Sequence, residues 1–182
     1  FYGENGVAAY GVIMYANFVF SAIFFGYSIG VAPIIGYNYG AKNHKELQNV
    51  YKKSMIFNGT VGAGITALAI ASAKAVAKIF VGYDTSLLEL TEFAVCLYST
   101  RYLLSSFNIF ASSFFTALNN GGVSAVISVL RNLVFQLSAV ILLPIAFGEE
   151  AIWLSMTVCE ALSMIVSAYF LISKNKKYHY VR

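Results

Sequence analysis

The sequence predicts an all-α protein, a polytopic helix bundle that crosses a membrane, on three observations. Of the 182 residues, 59% are hydrophobic and 11% charged, and mean hydropathy is +0.71, whereas an ordinary soluble domain is roughly 25% charged. Five apolar stretches, over 8–36, 54–81, 87–118, 124–147 and 152–172, each reach or exceed the ~20 residues that carry a helix across a bilayer. None alternates in polarity in the ~10-residue units of a membrane β-barrel, the other backbone arrangement that satisfies its own hydrogen bonds in lipid.

The first stretch ends in the most distinctive string of the chain, GVAPIIGYNYGAK over 30–42. Gly26 with Gly30, and Gly36 with Gly40, are small-residue pairs four apart that let a neighbouring backbone approach. Pro33 lacks an N–H, so a bend or a lost bond is expected near Gly30. Gly30, Pro33 and Gly36 are therefore candidate hinge residues, with a static kinked packing seam as the plainer alternative. The second stretch is rich in small residues: Gly59, Gly62, Gly64, Ala69, Ala73 and Ala77 give it a surface suited to close packing. Lys74 and Lys78, one turn apart near its end, have stems long enough to reach the interface.

Three charges fall deep in the remaining stretches, Arg101, Arg131 and Glu160, each costing about 2.5–3.5 kcal/mol at a helix centre on insertion scales. Polar neutral residues accompany them, Asn17, Asn58, Asn108, Asn132, Gln136 and several serines among them. Such groups turn to the bundle interior or a wet cavity. Arg101 and Glu160 each lie eight positions into their stretches, counted from Phe93 and Ile152, or about 12 Å deep at 1.5 Å per residue. Equal depth makes them candidate partners, either as a static interhelical lock or as a pair that opens to admit a coupling ion. Aromatics are 16% of the chain, and Trp153, Tyr178 and Tyr180 stand where an interfacial belt is expected. An aromatic-lined cavity would suit a hydrophobic cation through ring faces.

Orientation follows from Lys and Arg in the short connections. Lys42, Lys45, Lys52 and Lys53 in the first connection, and Lys174, Lys176, Lys177 and Arg182 in the tail over 173–182, are separated by four spans and so share one side. That side is expected to be cytoplasmic, and the acidic connections, with Asp84, Glu89, Glu149 and Glu150, external. The net charge of +4 sits mainly in these clusters, which face anionic lipid; nucleic acid is not an expected partner. Cys96 and Cys159 lie inside spans and are expected to be packing residues, not a bridge. No metal or cofactor is expected, because neither histidine, His44 or His179, lies near a thiol. With no Asp or His inside the spans, no catalytic residue is assigned and an intramembrane enzyme is a poor reading.

With these residues in view, the chain resembles the C-terminal half of a transporter of the multidrug and toxic compound extrusion (MATE) family. The likeness is carried by GVAAYG at 6–11 and PIIGYNYGAK at 33–42, then FNIF at 107–110 and FFTALNNG at 114–121, and SVLR at 128–131. LLP at 142–144, Gly148, Ile152, Trp153 and Glu160 complete it in the family's order. The resemblance implies five of the six helices of one half of a twelve-helix protein, lacking the N-terminal half and the first helix of this half. A start at Phe1 within an external FYGENG segment agrees with a fragment. It further implies a multi-pass protein of the cell membrane that exports amphipathic compounds, organic cations especially, in exchange for Na+ or H+. Asn17, Tyr37, Arg101, Asn108, Arg131 and Glu160 are the candidates for its substrate or ion pathway. The rival expectations are a flippase or polysaccharide exporter of a related fold, and a non-transporting structural or channel subunit.

Overall fold

The computed structural model describes residues 3–181. They form a bundle of long helices: α1 (Gly3–Gly40), α2 (His44–Val81), α3 (Thr85–Ser99), α4 (Tyr102–Ala117), α5 (Gly121–Val129), α6 (Gln136–Phe147), α7 (Ser155–Ser173) and the short α8 (Asn175–Tyr178). A π-helical segment, Leu130–Phe135, joins α5 to α6, and a 3₁₀ segment, Glu149–Leu154, leads into α7. Four of the resulting rods are long and apolar enough to cross a membrane: Gly3–Gly40, His44–Val81, Gly121–Phe147 and Glu149–Ser173.

The third expected span, 87–118, is not one helix. It is divided into α3 and α4 by a turn at Thr100 and Arg101. The backbone N–H groups there reach back only three residues, Thr100 to Leu97 O and Arg101 to Tyr98 O, both at 3.3 Å. Two side chains bond back to the preceding turn: Ser99 Oγ donates to Val95 O at 2.6 Å, and Thr100 Oγ1 to Leu97 O at 2.7 Å, the carbonyl its own N–H also uses. Hydroxyls that bond back to the preceding turn loosen the helical ladder, and a Ser-Thr-Arg run offers two in succession.

The ends of α1 and α4 use one device. Lys42 (φ 56) and Asn119 (φ 57) are left-handed, and the next residue's N–H closes back on the helix, Asn43 to Asn38 O at 2.9 Å and Asn120 to Phe115 O at 2.8 Å. This Schellman closure satisfies the last carbonyls. Each closing asparagine then caps the following helix, Asn43 accepting from Glu46 N–H and Asn120 from Val123 N–H. Asp84 caps α3 in the same way, accepting from Ser86 and Leu87 N–H.

Three apolar layers stack along the bundle. At the end where α1 begins, Val12, Ile13, Ala73, Ala77, Tyr98 and Trp153 meet; Phe24, Ile65, Ala69, Tyr102 and Ile109 form the middle; Ile35, Leu47, Phe110, Phe114, Phe115 and Ile127 form the far layer. The small residues of α2 bring it against α4: a Cβ on Gly62 would lie 2.8 Å from Ser106 Oγ and 3.3 Å from Leu103 Cα. The α1 glycine pairs divide differently. Gly36 faces Ala117 O at 3.3 Å, while Gly26, Gly30 and Gly40 have open space where a side chain would go. Within this chain Gly26 and Gly30 make no seam, because that face of α1 points away from the bundle, as exposed Phe18 (80%) and Ile29 (69%) do.

The chain ending differs from expectation. Tyr178 and Tyr180 are buried rather than interfacial. His179 (φ 56) turns the chain back after α8, and the Tyr180 ring packs 5.0 Å from Tyr51 and 4.9 Å from Phe114. Its hydroxyl donates to the Leu171 carbonyl, and Gln48 Nε2 donates to His179 O at 2.9 Å. Burial, reinforced by the neighbouring Tyr51 and Tyr178, pushes the Tyr180 phenol up, which keeps it a neutral donor. Trp153, also expected in a belt, is buried in the opposite layer. Cys96 and Cys159 are free thiols.

Candidate functional site

Glu160 sits on the inner face of α7, 2% exposed. It lies at a level where two neighbouring elements leave α-helical geometry: the turn that carries Arg101 and the π segment that carries Arg131. A π turn inserts an extra residue and re-aims the side chains that follow. Arg131 Nε reaches Glu160 Oε2 at 2.9 Å and its Nη2 reaches Oε1 at 2.7 Å, a two-pronged contact. Arg101 Nη2 reaches Oε1 at 3.1 Å. Asn108 Nδ2, from α4, donates to Oε2 at 2.8 Å and to the Glu160 backbone carbonyl at 2.9 Å. The carboxylate thus accepts four hydrogen bonds, the number its lone pairs can take.

A ring of supports holds these partners. Ser167 Oγ donates to Asn108 Oδ1 at 2.9 Å. Ser105 Oγ accepts from Arg131 Nη2 at 3.1 Å, and the Cys159 thiol donates to the Arg131 carbonyl at 3.2 Å, within the π segment. Tyr98 serves Arg101 twice, its hydroxyl accepting from Nη1 at 2.6 Å and its ring lying 5.1 Å under the guanidinium. Thr100 and Thr157 hydroxyls, 2.7 Å apart, tie the α3–α4 turn to α7. Two guanidiniums and one carboxylate leave the cluster with one net positive charge, because arginine does not give up its proton.

Both arginines also line a cavity of about 360 Å³ between α1, α4 and the π segment, with Asn17, Ser112, Ser128 and Asn132 on its wall. Ser112 Oγ lies 2.9 Å from both Ser124 Oγ and Ser128 Oγ, and Thr116 Oγ1 donates to Ser124 Oγ at 2.8 Å. These bonds knit α4 to α5 behind the cavity. A second cavity of about 360 Å³, at the end where α1 begins, is lined by Tyr10, Tyr98, Gln136, Trp153 and Met156.

Of the residues singled out in the sequence, Asn17, Arg101 and Arg131 come to one cavity and Asn108 and Glu160 to the network behind it. Tyr37 does not join them. It is 76% exposed and lies about 30 Å along α1 from Asn17 at 1.5 Å per residue. Gly30 and Pro33 are on the outer face of α1, which continues as α-helix through the proline. Ser113 Oγ of α4 donates to the Ser28 carbonyl at 3.0 Å, next to the Ile29 carbonyl that Pro33 leaves without its usual donor.

The principal Glu160 partner is Arg131 rather than Arg101, and the roles of Tyr98 and Ser167 were not anticipated. Ser167 carried a signal: Glu160, Ser163 and Ser167 recur at helical spacing and all three are buried on one face of α7. Among the described residues no three His, Cys, Asp or Glu side chains could share a metal ion.

The MatE family model matches residues 1–142. No curated protein matches the chain. Among solved structures, a MATE protein crystallised in complex with MaL6 is 21% identical, with a TM-score of 0.86 over 96% of this chain and 40% of its own. The outward-facing conformation of a multidrug resistance MATE family transporter of the MOP superfamily is 20% identical, with the same TM-score and coverage. The chain therefore spans about two-fifths of the length of these structures and shares their fold. A family match that begins at residue 1 and runs through α1 to α5, the π segment and half of α6 places it: the chain belongs to the MatE family.

Proposed function

We propose that this chain is the greater part of the C-terminal half of a secondary active transporter that exports amphipathic compounds, organic cations among them, in exchange for Na+ or H+. The observation that carries the reading is the pairing of an ion cluster, its carboxylate filled by two arginines and an asparagine, with a polar cavity at the same level of a membrane-sized bundle. Buried charge is costly in a bilayer and is kept where it lines a pathway or holds a structure together. In this reading Asn17, Arg101 and Arg131 meet a polar, non-cationic end of the transported amphiphile, while Asn108 and Glu160 position the arginines. The other half of the protein completes the cavity, and the two halves rock about it. Tyr37, Gly30, Pro33 and Gly36 belong to the stretch of α1 that flexes as access alternates. For an organic cation, the rings of Tyr10, Tyr98 and Trp153 in the second cavity supply favourable faces. The parent protein lies in the cell membrane with its Lys-rich connection and tail in the cytoplasm.

The geometry favours Glu160 as a lock over Glu160 as an ion exchanger. A coupling cation would have to displace a two-pronged arginine, a second arginine and an amide at once. The coupling group is then in the part of the transporter outside this chain. The test is the full-length protein in proteoliposomes, with a fluorescent organic cation as probe and a Na+ or proton gradient imposed. Accumulation driven by one gradient supports the reading; no movement under either sinks it.

A further inference from the structure

The eight acidic residues of the chain are Glu4, Glu46, Asp84, Glu89, Glu92, Glu149, Glu150 and Glu160. None of the first seven lines the cavity between α1, α4 and the π segment, and the eighth has its lone pairs filled by Arg101, Arg131 and Asn108. The cavity between α1, α4 and the π segment therefore offers no free carboxylate, yet both arginines line it and their cluster keeps one positive charge. Its wall adds the hydroxyls of Ser112 and Ser128 and the amides of Asn17 and Asn132. Its rim adds Phe25 and Ile29, which are 49% and 69% exposed. A permanent cation, neutral donors behind it and an apolar rim are complementary to an amphipathic molecule that ends in an oxyanion.

We infer that this cavity receives the anionic group, a carboxylate or its equivalent, of an anionic or zwitterionic amphipathic substrate, with the substrate's apolar body on Phe25 and Ile29. The inference rests on the transport reading above for its biological setting but not for its chemistry. At an effective dielectric of about 20, a unit charge about 6 Å away favours an anion over a neutral analogue by about a hundredfold. Arg101 is the residue that decides the sign. Removing it leaves the Arg131–Glu160 pair intact and the cluster neutral; removing Arg131 and Glu160 together keeps the positive charge.

The test uses the purified full-length transporter and three naphthyl probes with one aromatic body: naphthylacetate, its neutral primary amide, and naphthylmethyl-trimethylammonium. Binding is measured by equilibrium dialysis and transport in proteoliposomes. Arg101→Gln is expected to weaken naphthylacetate binding tenfold or more without weakening the trimethylammonium probe. Arg101→Lys, and the double variant Arg131→Gln with Glu160→Gln, both keep one positive charge and are expected to bind naphthylacetate at least tenfold more tightly than its neutral amide, whatever either does to affinity. An Arg101→Gln protein that binds naphthylacetate within twofold of the parent, or loses both charged probes equally, overturns the inference. Binding with the expected charge preference but no transport of any probe would overturn the transport reading and leave the anion site standing.

Discussion

Replacing Glu160 by Gln removes the one negative charge from a site that holds two guanidiniums, while changing its shape little. At about 4 Å and an effective dielectric of about 20, each carboxylate–guanidinium attraction is worth about 4 kcal/mol before desolvation is counted. The loss is offset because the carboxylate need no longer be desolvated, and because the amide oxygen still accepts from one arginine. Its NH₂ group, however, points donors at donors. Breaking a buried pair in this way costs about 3–5 kcal/mol, and a chain of this size loses about 2–4 °C of Tm per kcal/mol. A protein of the two-half size proposed above lies at the low end, so Glu160→Gln should lower its Tm by roughly 6–10 °C. A thiol-reactive fluorophore can follow unfolding through the free thiol of buried Cys159. Adding Arg131→Gln returns the cluster to one positive charge and should restore at least half of the loss, a coupling that only neighbouring groups show. A shift below 2 °C, or a double variant no more stable than the single one, would refute the claim that Glu160 is a lock.

The topology is tested by single cysteines at Asn43 and Ser86 in the full-length protein: an impermeant reagent applied outside should label position 86 and leave position 43 untouched. Pro33→Ala restores a backbone donor to Ile29 O, so transport should slow severalfold while expression is unchanged; an unaltered rate would leave Pro33 only a packing role. Gly62→Ala pushes a methyl group within 2.8 Å of Ser106 Oγ and should cost about 1–3 kcal/mol in thermal stability. Gly64→Ala, which meets nothing within 4 Å, should leave stability unchanged or raise it slightly, and equal effects at the two glycines would contradict the close α2–α4 approach.

Much of the fold was legible because lipid leaves a chain few choices. Apolar runs of bilayer length, the small-residue face of α2 and the depth of Arg101 and Glu160 are properties of sequence spacing alone. The break at Thr100 was less legible, since Ser and Thr inside an apolar run read equally well as interhelical hydrogen bonds. Only the structure shows Ser99 and Thr100 bonding back to their own helix. The π segment carried no signal at all: LRNLVF differs from the helix around it by nothing that propensity registers. That is why Arg131, read as ordinary α-helix, was not predicted to face Glu160. The burial of Tyr178 and Tyr180 escapes the sequence for a different reason. Interfacial position after a span is a tendency of Tyr, whereas their burial depends on a left-handed turn at His179 and a slot between Tyr51 and Phe114 that arises only when α2, α4 and α7 come together.

The two irregular segments have a common cause. Glu160 projects from a regular helix, so its direction is fixed by α7, and an uninterrupted α3–α4 rod would carry Arg101 wherever its helical phase dictated. The turn at Thr100 lets that phase reset between α3, which packs in the layer of Tyr98 and Trp153, and α4, which packs in the layers of Tyr102, Ile109 and Phe114. The π segment does the same for α5 and α6, and the Cys159 thiol on α7 bonds its carbonyl at Arg131. Each departure replaces regular α-helical hydrogen bonding with a less common pattern, a three-residue reach at Thr100 and a π turn at Arg131. What the two departures bring together is a fully satisfied carboxylate with two charged partners. Straightening either segment would therefore strand a charge, and relaxing the charge cluster would remove the reason for the irregular backbone. The ion cluster and the two helix defects are best regarded as one unit that bends or holds together.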